Sequence, residues 1–220
     1  ALVNIKIEGQ SFQVESGLTV LEACRQCGFN IPSLCAWNKG QCSQASCRVC
    51  LVEVVGARGL VASCVYPVNE GMEIIISSPK ATEARRASVE LLLSNHRKKC
   101  LQCEKNGQCE LLEIAKLVGA RDGAYEGEMT PPTLDTLAPG LVRDTSKCIL
   151  CGRCVARCKE AQGISILGFE NRGFNTIVSP VENRSFATSP CIQCGQCVNV
   201  CPTGALMENS EIAKVDAAFK

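Results

Sequence analysis

The sequence predicts an α+β chain built from several small units, not one large core. Three observations predict it. Short alternating apolar runs broken by glycine-containing turns fill residues 1–79. Apolar residues recur at helical spacing over 80–120. Two closely similar cysteine runs, opening at Cys148 and Cys191, occupy 141–220. Residues 121–140 between them have linker composition.

In the first segment, Leu2, Val3, Ile5 and Ile7 form a strand, Glu8-Gly9-Gln10 turns, and Phe12 and Val14 return as a hairpin. Thr19 to Cys27 reads as a short helix closed by Gly28. Cys50 to Val55 and Leu60 to Val65 form a second hairpin, and Gly71 to Ser77 supplies a last strand.

Seven cysteines lie here: Cys24, Cys27, Cys35, Cys42, Cys47, Cys50 and Cys64. Cys35, Cys47, Cys50 and Cys64 put four thiolates on one long loop and the hairpin after it, a set suited to a 2Fe–2S cluster. The alternative is Cys42-x4-Cys47-x2-Cys50, which mimics a plant-type start and would leave Cys35 spare. The first set is preferred, because Cys64 follows much sooner than the plant-type pattern wants. Cys24 and Cys27 sit at helical spacing and read as small buried hydrophobes, with a disulfide or redox pair as the minor alternative.

Ser78-Pro79 opens a helix through Asn95, with apolar positions at Ala84, Ala87, Leu91 and Leu92. It ends at the single histidine, in His96-x3-Cys100-x2-Cys103-x5-Cys109. A lone histidine beside Arg97-Lys98-Lys99 is ordinarily a surface residue. Three cysteines, however, leave a 4Fe–4S cluster one ligand short, and a neutral imidazole completes it without adding negative charge; His for Cys raises the potential of Rieske centres. His96, Cys100, Cys103 and Cys109 are therefore read as one ligand set. A second helix follows Cys109 and stops at Gly119.

The two runs of the last segment share the pattern C-I-x-C-G-x-C-V-x-x-C. Its spacing is that of bacterial ferredoxins, in which the fourth cysteine of each run ligates the other run's cluster. Cys148, Cys151, Cys154 and Cys201 are assigned to one 4Fe–4S cluster, and Cys158, Cys191, Cys194 and Cys197 to another. Gly152 and Gly195 let each loop curl, while Ile149, Val155, Ile192 and Val198 are expected to line the clusters. Zinc is the competing reading, but it favours two C-x2-C pairs around one ion over two triplets with trailing cysteines. A hairpin insert (Ile164 to Phe169, Phe174 to Val178) separates the runs, and an amphipathic helix with Ile212, Val215, Ala218 and Phe219 closes the chain.

Composition narrows the function. A net charge of +1 favours neither nucleic acid nor an anionic membrane. Eighteen cysteines in packed runs suit shared ligation better than disulfides, and Ala1 leads into a strand with no basic, apolar leader. A reducing, cytoplasmic setting is expected. No apolar run reaches membrane-helix length.

With these motifs in place the chain resembles, along nearly its whole length, the iron–sulfur N-terminal region of multi-cluster iron–iron hydrogenases. Its first two modules are also similar to the large iron–sulfur subunit of respiratory complex I and to the small diaphorase subunit of NAD-reducing nickel–iron hydrogenases. The resemblance rests on Cys35, Cys47, Cys50 and Cys64, on His96, Cys100, Cys103 and Cys109, and on the eight ferredoxin-type cysteines. It implies a β-grasp 2Fe–2S domain, a His-ligated 4Fe–4S segment and a two-cluster ferredoxin domain, in that order. Two departures are visible. Lys159 follows Cys158 where related runs often carry Pro, and the chain ends at Lys220, where the hydrogenase catalytic domain would begin.

No G-x-G-x-x-G or Walker loop is present. Sixteen ligand places for one 2Fe–2S and three 4Fe–4S clusters use fifteen of the cysteines and His96, so no substrate site is expected. The expected function is a non-catalytic electron-relay subunit of an oxidoreductase complex whose partner subunits bind flavin and NAD(P)(H), with soluble ferredoxin as a further partner. That points to a hydrogenase-related transhydrogenase, electron bifurcation being one mode. The alternatives are the relay part of an iron–iron hydrogenase, a diaphorase subunit, and, remotely, a structural metal-binding protein.

Overall fold

The computed structural model describes residues 1–37 and 44–219. They form two compact units, one of residues 1–94 and 110–127, the other of 95–109 and 128–220.

The first unit is built on a five-stranded sheet. Its strands are β1 (Leu2–Ile7), β2 (Gln10–Glu15), β3 (Leu51–Val54), β4 (Val61–Ala62) and β5 (Met72–Ile75), in the order β2-β1-β5-β3-β4. Only the central β1–β5 pair is parallel, which gives the β-grasp topology. Alternation along β1 buries Ile5 and Ile7 and exposes Asn4 and Lys6. The β1–β2 turn places Glu8 and Gly9 at φ +50° and +78°, the paired left-handed geometry that two-residue hairpins need. Glu8 is held there by its carboxylate, which accepts hydrogen bonds from the amides of Ile76 and Ser77 at 2.6 and 2.7 Å. Helix α1 (Val20–Gln26) opens on a reciprocal Thr19–Glu22 capping box. It ends just before Gly28, at φ +85°.

Helices α2 (Pro79–Ser94) and α3 (Glu110–Leu117) complete this unit. The buried stripe of α2 is Ala81, Arg85 and Val89, whereas Leu91 is exposed. That differs from the expected Ala84–Leu91 face. A stripe sought among apolar residues misses Arg85, whose Nε donates to the Leu51 carbonyl of β3 at 2.7 Å. The buried Glu90 carboxylate accepts from the amide and the Nε of Arg121, both at 3.0 Å, tethering the chain beyond α3.

The second unit carries a three-stranded antiparallel sheet of β6 (Leu134–Asp135), β7 (Leu141–Asp144) and β10 (Leu206–Glu208), in the order β10-β7-β6. Strand β7 leads into the first cysteine run and β10 leaves the second, so their pairing closes the two runs against each other. Part of the stretch read as linker thus contributes a strand. Helices α4 (Arg153–Gln162) and α5 (Gln196–Asn199), the hairpin β8 (Gly168–Glu170) and β9 (Ile177–Ser179), and α6 (Ile212–Ala218) complete the unit. One residue sets the difference in length between α4 and α5. Lys159 lets α4 run through Cys158, whereas Pro202 after Cys201 cannot sit inside a helix. The closing helix leaves Ile212, Val215 and Phe219 exposed.

Candidate metal centres

In the first unit the structure gathers Cys35, Cys47, Cys50 and Cys64, all buried, between the loop before β3 and the segment after β4. The Cys47 thiol donates to Cys35 Sγ at 3.4 Å. Hydrogen bonds from Cys47 and Cys64 hold the Cys35 thiol far below its usual pKa, and the bond from Cys64 lowers Cys50 to about 6. The donor that loses in the first pair is Cys47, whose thiol is pushed up by Cys35 and by burial. Four buried sulfurs, two of them held toward the thiolate form, fit a cationic iron centre, which deprotonates its thiol ligands. Cys42, read as the non-ligand, lies outside the described residues. Cys24 lies in the core, its thiol pushed up to about 12 chiefly by burial, and Cys27 is half-buried.

In the second unit two cavities stand among the cysteine runs. Cys148, Cys151, Cys154 and Cys201 line the first. Cys158, Cys191, Cys194 and Cys197 line the second. Each cavity takes three thiols from one run and the last cysteine of the other. The two loops repeat each other in detail. The amides of Leu150 and Gln193 each donate to the sulfur two residues back, Cys148 and Cys191, at 3.4 Å. Leu150 and Gln193 sit at φ +54° and +52°, and Gly152 and Gly195 at +77° and +70°. Two successive left-handed turns wrap the backbone around each cavity.

Burial pushes up the thiols around the first cavity: Cys148 to about 11, Cys151 and Cys154 further. In the second, burial raises Cys197 to about 12, and Cys194 is exposed. Four thiolates cannot remain charged in such surroundings without a cation, so the donor chemistry fits iron–sulfur clusters. Among the described residues, no three His, Cys, Asp or Glu side chains draw together as ligands of a single ion. Ile149 and Ile192 line the cavities as expected, but Val155 and Val198 do not appear in either wall. The sheet and the insert supply the apolar walls: Val178, Ala205 and Leu206 in the first cavity, Ile164, Leu167 and Phe186 in the second.

His96, Cys100, Cys103 and Cys109 lie on the single excursion of 95–109 into the second unit. The excursion is fastened by Arg97 N donating to Ser146 O at 3.0 Å and by Asn95 bonding Thr130 through both its amide oxygen and its amide nitrogen. The His96 ring engages the Lys147 backbone, while its buried Nδ1 has no hydrogen-bond partner. Burial and the nearby Lys147 charge lower its pKa, favouring the neutral, ligating form. Cys103 packs closely against Gly204, and Cys100 is exposed.

Three basic residues in and beside the first cysteine run are differently placed. Lys147 pairs with Asp144 at 3.3 Å, and Arg157 donates to Gln196 Oε1, linking α4 to α5. Arg153 is buried. The sequence reading missed Arg143 of β7, which is buried and lines the first cavity. Its sole sequence signal is an inward position in the alternation Leu141-Val142-Arg143-Asp144.

Three family models match the chain in series. They are a 2Fe-2S iron-sulfur cluster binding domain over 1–79, the NADH-ubiquinone oxidoreductase-G iron-sulfur binding region over 85–123, and a 4Fe-4S dicluster domain over 147–205. The chain is thus a tandem of iron–sulfur cluster-binding domains. It is homologous to the iron–sulfur region of hydrogenase and NADH dehydrogenase subunits. It is 41% identical to the NADP-reducing hydrogenase subunit HndD of Solidesulfovibrio fructosivorans, over 100% of this chain and 38% of that protein. It is 33% identical to the NADH-ubiquinone oxidoreductase 75 kDa subunit of Reclinomonas americana, over 93% of this chain and 29% of that protein. The chain therefore spans well under half the length of the curated relatives it matches. A solved NAD+-reducing nickel–iron hydrogenase in the H2-reduced state matches with a TM-score of 0.87 and 29% identity, covering 96% of this chain and 88% of that one. No helix among the described residues is long and apolar enough to cross a membrane.

Proposed function

We propose that this chain is an electron-relay subunit of a soluble, cytoplasmic, flavin-containing NAD(P)(H)–ferredoxin oxidoreductase, acting as a transhydrogenase with electron bifurcation as one mode. It holds one 2Fe–2S cluster on Cys35, Cys47, Cys50 and Cys64. It holds three 4Fe–4S clusters, on His96, Cys100, Cys103 and Cys109, on Cys148, Cys151, Cys154 and Cys201, and on Cys158, Cys191, Cys194 and Cys197. Bound clusters supply one-electron exchange at potentials set by ligand type, burial and hydrogen bonding. The protein orients the thiolates, covers all but Cys100 and Cys194 at least in part, and directs backbone N–H groups at the Cys148 and Cys191 sulfurs. Flavin and NAD(P) belong on partner subunits, and this chain performs no catalysis of its own.

The observation that supports this reading most is the crossed pair of cysteine cavities. Anaerobic iron and sulfide analysis with a reductive titration followed by electron paramagnetic resonance tests it, four distinct centres being expected. A colourless, zinc-containing protein that dithionite does not bleach would end it. Mass spectrometry of the natively purified complex tests the partners, with a flavoprotein expected.

A second reading has its own support. The identity to the hydrogenase subunit and the coverage of the nickel–iron hydrogenase chain favour a relay within a hydrogenase, of the iron–iron or the diaphorase kind. Hydrogen uptake or evolution by the purified complex separates the two.

A further inference from the structure

Arg143 is 3% exposed. Its Nη1 donates to the Val178 carbonyl at 3.3 Å and its Nη2 to Asn183 Oδ1 at 2.9 Å, both on the insert between the cysteine runs. Its Nε is buried with no hydrogen-bond partner. Asp135 stands opposite it in the β6–β7 register, but its carboxylate is engaged by Ser185, Leu137 and Phe186. A buried cation with an unused N–H is costly unless an anion accepts from it. Arg143 lines the cavity of Cys148, Cys151, Cys154 and Cys201. The second cavity is lined by no basic side chain among the described residues.

We propose that Arg143 compensates the charge of the first cluster, its Nε–H donating to a cluster or cysteine sulfur and its charge raising that centre's reduction potential. The inference rests on the cluster assignment made above. One electron from the titrant enters the cluster and increases its negative charge. The guanidinium keeps its proton throughout, so no proton transfer accompanies reduction. The fixed cation therefore stabilises the reduced form more than the oxidised one. The insert has a matching part: Val178 and Asn183 each hold one terminal nitrogen, and Nε is the nitrogen without a partner. Arg143 is thus a positioning and tuning residue, not a catalytic one.

The test is a reductive titration of the cluster-loaded full chain, read by electron paramagnetic resonance, in the Arg143→Met, Arg143→Lys and Asn183→Ala variants. Arg143→Met is expected to shift the reduced-to-oxidised ratio of that centre at least tenfold toward oxidised at a given potential, 59 mV for a one-electron couple. Arg143→Lys, which retains the charge without Nε, and Asn183→Ala, which loosens one terminal nitrogen but keeps the charge, are each expected to shift it less. An unchanged potential in Arg143→Met overturns the proposal. So does an equal shift in Asn183→Ala, which would make the effect one of hairpin packing. If Arg143→Met fails to load, wild-type protein labelled with 15N-arginine decides: a hyperfine coupling that Arg143→Lys abolishes supports the hydrogen bond, and its absence overturns it. A wild-type protein with no 4Fe–4S signal would instead sink the relay reading, which keeps the two failures distinct.

Discussion

A Cβ placed on Gly204 would stand 2.7 Å from the Cys103 sulfur. The residue just beyond the second cysteine run is thus glycine because a thiol of the 95–109 excursion occupies the space where its side chain would be. The Lys147 stem and Met207 sulfur close the same gap at 3.4 and 3.6 Å. A free cysteine could rotate away, but one bound to a cluster cannot. Gly204→Ala is expected to remove or distort the His96, Cys100, Cys103 and Cys109 centre while the remaining centres keep their spectra. Iron analysis and electron paramagnetic resonance check it, and an unperturbed four-centre spectrum would contradict the ligand role of Cys103.

The unpartnered Nδ1 of His96 makes a second prediction. His96→Ala should lose about one cluster's iron. His96→Cys should keep the cluster but lower its potential, because a fourth thiolate replaces a neutral ligand. A full iron complement in His96→Ala would remove His96 from the ligand set.

In the β-grasp unit, Cys35→Ala is expected to abolish the 2Fe–2S signal and Cys42→Ala to retain it, both read by electron paramagnetic resonance of the dithionite-reduced protein. The reverse outcome would hand the ligand place to Cys42.

Asp135 yields a pH-dependent prediction. Burial alone would raise its carboxyl, but hydrogen bonds from Ser185, Phe186 and Leu137, with the charge of Arg143, outweigh it and hold the carboxyl below the usual value. Its contribution is present above the unfolded carboxylate pKa and lost as pH falls through the lower folded one. Asp135→Asn should cost about 1–3 kcal/mol at neutral pH. The gap from wild type should narrow below about pH 4, as followed by denaturant unfolding across pH. An equal gap at neutral and acid pH would show that the charge contributes nothing.

The sequence made some features legible and not others, for physical reasons. The cysteine runs were legible because ligation demands fixed residues at fixed spacing, and each cavity is lined by three thiols of one run and the last of the other. The β1–β2 hairpin and α1 were legible because Gly9, Thr19, Glu22 and Gly28 carry local turn and cap chemistry. The three-stranded sheet was not, since Leu134 and Asp135 are a strand only by virtue of β7, a long-range partner that a Pro- and Gly-rich stretch does not announce. The phase of α2 was missed for a related reason: Arg85 behaves as a core residue because Leu51 gives its guanidinium an acceptor. Arg143 escaped notice likewise, as its importance depends on which cavity the folded strand borders.

The exchange of Cys158 and Cys201 between the two loops bears on how the protein matures. On this ligation scheme neither loop closes a full coordination shell from its own sequence, so inserting the first cubane would dock both loops and prepare the berth for the second. Oxidative loss of one would then unfasten a ligand of its neighbour. The pair should be gained and lost together, with half-filled protein a fleeting species in biogenesis and in decay.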